Sequence, residues 1–260
     1  MTSLHDIRSI TILPGKTKSG FSENFTKITL SLGDTISIVG ATGSGKTAFI
    51  NDIEVFAQGD TVTGRTILVN GEKPADDLVR DPSKKPVAMI TQNTKCLADL
   101  TVPEFLKMHI RSRKIETPDV LQKTIDLANQ FTGEKIMPEM RMSSLSGGQT
   151  RSLFIADAVL ISDTPIILLD EIENAGIFKE KVIEELRKLK KATVFVTHDP
   201  YVALLTDRRI VMKNGAVQSI LEPGEKEHDV LSYISEMDAK MSLMREKIRN
   251  GELLETKGGV

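Results

Sequence analysis

The sequence predicts an α/β protein built on a mainly parallel sheet and interrupted by a helical insertion. Three observations carry that reading. The apolar runs Pro165–Leu169 and Ala192–Val196 are continuous rather than alternating, the pattern of strands buried on both faces. Between them, Lys179 to Lys191 places Val182, Ile183, Leu186 and Leu189 on one helical face, which makes a strand–helix–strand unit with a right-handed crossover. Residues 93 to 145 carry helical patterns with no good strand among them.

Each element has a local reason. Thr35-Ile-Ser-Ile-Val39 is β-branched and ends at Gly40. Thr101-Val-Pro-Glu104 has the spacing of a capping box with Pro103 in the first turn, and Thr117-Pro118 marks a second helix start. Each start is followed by a pattern long enough for a helix of about a dozen residues. Another helical pattern runs from Thr150 to Leu160. Arg209–Met212 and Ala216–Ile220 flank Lys213-Asn214-Gly215, and Asn-Gly between β runs is a hairpin signal. After Pro223-Gly224, the residues Val230, Ile234, Met237, Met241, Met244 and Ile248 form a helical stripe that stops at Asn250-Gly251, a natural C-cap. The stripe is expected to pack on the protein's own body or in a dimer contact, although methionines also adapt to a partner.

Composition narrows the function. A chain of 260 residues with 40% hydrophobic and 27% charged residues is a soluble globular protein with a substantial core. A net charge of −2, 4% aromatic residues and no tryptophan supply neither the basic footprint nor the stacking surface of a nucleic-acid coat, so no nucleic acid partner is expected. Cys96 is the only cysteine, which excludes an intrachain disulfide and a multi-cysteine metal site within one chain and suits a reducing, cytoplasmic compartment. The N-terminus has no basic-then-apolar leader, and no run approaches the roughly 18 apolar residues that cross a bilayer.

The chemistry begins at Gly40-Ala41-Thr42-Gly43-Ser44-Gly45-Lys46-Thr47, which fits G-x-x-x-x-G-K-[ST] between a predicted strand and a helical pattern. Glycines let the backbone wind around a phosphate with its N–H groups inward, and the following helix presents its positive dipole end to the same anion. Lys46 is then a charge for the β- and γ-phosphates and the Thr47 hydroxyl a Mg²⁺ ligand. Asp170 ends an apolar strand, where it can aim a carboxylate at the Mg²⁺ shell, and Glu171 beside it can face an attacking water. These residues alone indicate a nucleoside triphosphatase.

Leu145-Ser146-Gly147-Gly148-Gln149 is the signature pentapeptide of ATP-binding cassette (ABC) ATPases, and it stands between the phosphate loop and the Asp-Glu strand, in the order of that family. Gln92 after Val87-Ala-Met-Ile90 looks like the Q-loop glutamine, His198 after Phe195-Val-Thr197 like the switch histidine, and Asp207–Val217 like the closing hairpin. Over roughly residues 25 to 220 the chain therefore resembles an ABC nucleotide-binding subunit.

The resemblance implies an ABC-type P-loop core over residues 1–92 and 150–225, with an N-terminal antiparallel β part. It implies a helical signature subdomain over 93–149, followed by a C-terminal helix and tail over 226–260. It implies Mg-ATP on Gly40–Thr47, with Thr47, Asp170 and Gln92 toward the metal, and Glu171, His198 and Gln92 as the catalytic set. Ser146, Gly147, Gly148 and Gln149 would face the ATP of a second ABC subunit in a head-to-tail homodimer. Phe21 is the better placed aromatic for stacking on adenine, with Phe25 second; each suits a core or edge position equally. The implied work is ATP hydrolysis as the ATPase subunit of a transporter, on the cytoplasmic face beside a separate membrane-spanning subunit. The alternative is a soluble ABC ATPase that remodels a protein or cofactor-assembly complex.

Three departures stand out. Ile172-Glu-Asn-Ala-Gly-Ile177 replaces the family's Pro-Thr-Ser-Ala-Leu-Asp, so Ile177 takes the place of the D-loop aspartate. The substitution Ile177→Asp is expected to raise turnover or cooperativity unless Glu173 or Asn174 compensates. The usual arginines near Ser152 and Asp157 are missing, with Arg151 a stand-in for one. Asp170 and His198 are 28 positions apart, a few short of the usual spacing.

Overall fold

A computed structural model describes residues 6–81, 84–96, 99–172 and 176–254, so Glu173 and Asn174 lie outside the described residues. Its main sheet has the order β5-β6-β7-β3-β8-β9. The strands are β3 (Thr35–Val39), β5 (Val87–Ile90), β6 (Ile166–Asp170), β7 (Ala192–Val196), β8 (Arg208–Lys213) and β9 (Ala216–Leu221). All neighbours are parallel except the final hairpin. In that hairpin, Asn214 and Gly215 take φ of 53° and 81°, the left-handed pair that a two-residue turn requires.

A smaller antiparallel sheet pairs β1 (Ser9–Leu13) with β2 (Ile28–Ser31) and β4 (Thr66–Val69). The expected N-terminal β part is thus present, but one of its strands comes from beyond the phosphate loop. The helices are α1 (Lys46–Glu54), α2 (Asp76–Arg80), α3 (Val102–Ser112), α4 (Val120–Phe131), α5 (Gly147–Leu160), α6 (Lys179–Lys188), α7 (Pro200–Leu205) and α8 (Glu225–Arg249).

Alternation explains why the central runs are continuously apolar. On β6, Ile166 and Leu168 join a cluster with α1 and the small sheet, whereas Ile167 and Leu169 join a cluster with α3, α4, α5 and α6. Each successive side chain meets a different layer, so both residue parities must be apolar. The capping box at Thr101 and Glu104 forms as its spacing predicts. Two local expectations shift. The second insertion helix begins at Val120 rather than near Thr117, because Asp119 takes a left-handed φ of 61° immediately before it. Leu189 is 40% exposed because α6 stops at Lys188 and Lys190 turns left-handed, so only Val182, Ile183 and Leu186 are buried.

α8 ends as predicted: Gly251 (φ 76°) donates its N–H to Ile248 O, and Glu252 donates to Lys247 O, the paired bonds of a Schellman cap. Its apolar stripe is not covered by the body. Val230, Met237, Met241, Met244 and Ile248 are between 46% and 60% exposed. Ser235, Asp238, Ala239, Ser242 and Arg245 instead line a cavity of about 730 Å³ against α6 and α7. Ion pairs from Glu227 to Arg209 (2.7 Å) and from Asp238 to Lys179 (3.4 Å) hold the helix there.

Where the small sheet meets the main one sits a buried ionic brace. The Arg65 guanidinium donates to both Glu23 carboxylate oxygens (2.7 and 2.8 Å), to Asp52 (3.1 Å) and to Gly215 O (3.1 Å), and it lies 4.8 Å from the Phe49 ring centroid. Glu23 also accepts from the N–H groups of Gly15 (3.0 Å) and Val217 (2.8 Å), and Asp52 accepts from the Thr61 and Thr63 hydroxyls. Removing one member leaves a buried, unpaired charge. Arg65→Met, which strands two carboxylates, should therefore lower the unfolding free energy by about 3–5 kcal/mol, read from a shifted urea midpoint.

Candidate nucleotide site

The site forms at the carboxyl ends of the parallel strands, where open α/β sheets place their ligands. β3 ends at Val39 and the chain turns through Gly40 (φ 152°) to Gly45 (φ 105°), the residue before α1. A side chain fits at neither glycine. A Cβ on Gly40 would lie 2.4 Å from Met212 O, and one on Gly45 would lie 2.9 Å from the Cα of Gly215. The hairpin β8–β9 therefore presses on the phosphate loop from outside. The N–H of Gly215 donates to Ser44 O at 2.8 Å, and Lys18 Nζ donates to Gly43 O at 2.8 Å.

Within the loop, Lys46 Nζ reaches back to Gly40 O (2.8 Å) and Ala41 O (3.3 Å). These are the contacts of an ammonium kept inside the loop, ready to exchange carbonyls for phosphate oxygens. Ser44 Oγ is buried and has no hydrogen-bond partner among the described residues. Thr42 and Thr47 are exposed.

Strand order brings the remaining residues to the same edge. Asp170 is the last residue of β6 and pairs in register with Val196 of β7. Glu171 turns left-handed (φ 50°) and donates its N–H to Val196 O at 2.9 Å. That turn points its carboxylate toward His198, with Glu171 Oε1 3.3 Å from His198 Nε2. A cavity of about 320 Å³ opens between His198 and the first residues of the phosphate loop, Gly40 and Ala41. Gln92 follows β5 and is exposed. It starts three strand spacings from β3, about 14 Å.

The signature lies on the helical layer. Ser146 caps α5: its Oγ accepts from the Gln149 N–H (3.2 Å), and Gln149 Oε1 accepts from the Ser146 N–H (2.9 Å). Gly147 is exposed, so the helix N-terminus opens to solvent there, whereas Gly148 is buried. Gln149, expected among the ATP contacts, is 5% exposed, and its Nε2 donates to Lys135 O at 3.0 Å. Its polar atoms are committed to shaping the terminus. Of the aromatic pair, Phe21 is 73% exposed on a loop closed by Thr17, and Phe25 packs against the core. Of the two, Phe21 is the more accessible.

Packing accounts for the residues that stand at two of the departures. Ile177 is 5% exposed; it bridges to Thr132 and belongs to the apolar cluster of α4, α5 and α6. Asp157 is buried with its Oδ2 2.9 Å from His109 Nδ1, while Ser152 is fully buried. Sequence reasoning missed Lys179, which ion-pairs with Asp199 beside His198, because nothing in its spacing signals a partner 20 positions away. Installing a carboxylate at position 177 would bury it among aliphatic side chains. Contrary to the sequence-based expectation of faster turnover, Ile177→Asp should lose at least about 3 kcal/mol of stability in urea unfolding, without a gain in hydrolysis.

Comparison with known proteins agrees with this geometry. The family model for the ABC transporter matches residues 24–174. An ABC transporter ATP-binding protein of Methanocaldococcus jannaschii is 48% identical over 249 residues, covering 96% of this chain and 95% of the relative. The spermidine/putrescine import ATP-binding protein PotA of Mannheimia succiniciproducens is 29% identical over 210 residues, covering 78% of this chain but 54% of that longer protein. The solved structure of CbiO1 from Clostridium perfringens, part of the ABC transporter complex CbiONQ, superposes with a TM-score of 0.65 at 19% identity, covering 92% of this chain and 99% of that one. With a phosphate loop, an Asp-Glu strand end and a signature helix in one fold, the chain belongs to the ABC transporter family, as one of its ATP-binding ATPases.

Proposed function

We propose that this ATPase binds Mg-ATP between two copies arranged head to tail and drives a separate membrane-spanning subunit. The observation that carries the reading is the convergence at one sheet edge of the Gly40–Thr47 loop, Asp170 and the Glu171–His198 pair, 3.3 Å apart. Each chain has one phosphate loop and one signature, so two complete sites need two chains. The transport role is supported by relatives whose names assign them to import. Among the described residues no helix is long and apolar enough to cross a membrane, so in this reading the crossing belongs to the partner.

In this reading the triphosphate lies along the loop amides and the α1 N-terminus, and Lys46 trades the carbonyls of Gly40 and Ala41 for β- and γ-phosphate oxygens. The exposed Thr47 hydroxyl, the Asp170 carboxylate and the Gln92 amide are hard oxygen donors that fit Mg²⁺. Bound there, the ion supplies charge neutralisation to the phosphates. Glu171 accepts a hydrogen bond from the attacking water, and His198 fixes Glu171 and contacts the γ-phosphate. Phosphoryl transfer needs mainly positioning and charge stabilisation, and these side chains provide both. Phe21 stacks on adenine.

Two variants test the site. Lys46→Ala should lose hydrolysis with an unchanged melting temperature. Glu171→Gln should keep Mg-ATP binding, lose about a hundredfold or more in kcat, and sediment as a dimer only with Mg-ATP. A Glu171→Gln protein that stays monomeric with saturating Mg-ATP would contradict the head-to-tail arrangement. Membrane flotation from native cells tests the transport role, which requires co-migration with a polytopic subunit.

A further inference from the structure

We propose that Arg151 is a positioning residue that links the chain's two half-sites, the Gln92 turn toward its own ATP and the Ser146–Gly147 helix terminus toward the partner's. This deepens the reading above and rests on it. Arg151 lies one helical turn after Gly147 on α5 and is 8% exposed. Its Nη2 donates to the main-chain oxygen of Gln92. Its guanidinium runs beside Gly147: a Cβ there would lie 3.5 Å from Nη1 and 3.8 Å from Cζ. Thus one side chain is bonded to the Q-loop backbone and fills the space beside the first signature glycine.

The surroundings make this contact a link rather than a packing accident. Burial pushes the Arg151 guanidinium below its ordinary pKa, and Nε has no hydrogen-bond partner among the described residues. No carboxylate among the described residues lies within ion-pair distance of it. A cation buried this way is costly unless its remaining contact matters. That contact is to a backbone oxygen, which leaves the Gln92 side chain exposed and able to face the nucleotide.

Both ends are locally braced. The Gln92 turn is closed by Thr91 N–H to Thr94 Oγ1 (2.8 Å) and by Thr94 N–H to Thr91 O (3.1 Å). The signature end is closed by the Ser146–Gln149 capping box. Displacing the turn toward bound γ-phosphate therefore moves the signature terminus through Arg151. Position 177 supplies no carboxylate to this route: Ile177 is buried in the helical cluster.

The test uses the full chain in a Glu171→Gln background, with Mg-ADP affinity, Mg-ATP-driven dimerisation by sedimentation velocity, and melting temperature as readouts. Arg151→Met keeps the volume and removes the donor; Arg151→Lys keeps a cationic donor. The expected result for Arg151→Met is a Mg-ADP Kd within threefold of the parent and a dimer Kd at least tenfold weaker. Arg151→Lys should recover most of that loss. With Glu171 restored, Arg151→Met should lower kcat with little change in KM. Parent-like dimerisation by Arg151→Met overturns the proposal. So does a fall in Mg-ADP affinity and melting temperature together in both variants, which would make Arg151 a folding residue. A parent that stays monomeric with Mg-ATP overturns the head-to-tail reading itself, and this link with it.

Discussion

The buried guanidinium of Arg65 is the interaction on which the shape of the nucleotide site depends. It joins Glu23 of the N-terminal segment to Asp52 of α1 and to the carbonyl of Gly215 in the closing hairpin. Gly215 in turn presses on Gly45 and donates to Ser44 O, so the hairpin's placement limits the path of the phosphate loop. Glu23 reinforces the same placement by accepting from Val217 N–H. A bidentate Arg–carboxylate pair is planar and directional, and in a dry interior its geometry has little freedom. Segments 42 residues apart in sequence are thereby held in one register, and the loop between them inherits it.

The parallel sheet imposes the second constraint. Parallel strands all end at the same edge, so residues that follow β5, β6, β7 and β3 are neighbours there whatever their distance in sequence. Glu171 and His198 meet because β6 and β7 pair with Asp170 opposite Val196, and because the left-handed turn at Glu171 redirects its side chain. Between Asp170 and His198 lies the ten-residue α6, and β6 and β7 keep their pairing register.

The helical layer packs on the sheet through a shared apolar cluster, and a few polar side chains add directional links near the site. Arg151 reaches the Gln92 carbonyl. Lys179 binds Asp199 beside His198 and also Asp238 of α8, which connects the start of α6, the start of α7 and the C-terminal helix at one ammonium. α8 turns small and polar residues toward the body and its methionines outward, the reverse of an ordinary surface helix.

By itself the sequence determined the fold class, the central strands and helices and the phosphate-loop motif. Those depend on local chemistry: continuous β-branched runs, a glycine loop before a helix, Asn-Gly in a hairpin, and a capping box at Thr101. The tertiary structure alone decided the rest. Ile177 aligned with a family carboxylate, yet it packs against α4, because a side chain's surroundings follow from chain segments that local pattern does not register. Gln149 belonged to a binding motif, yet its amide is used to close the helix terminus. The Arg65 brace and the Arg151 link join residues 42 and 59 positions apart. A lone arginine on a sequence reads as a solvated charge. Only folding, which removes water from around it and brings carboxylates or carbonyls within hydrogen-bond reach, makes it a structural joint.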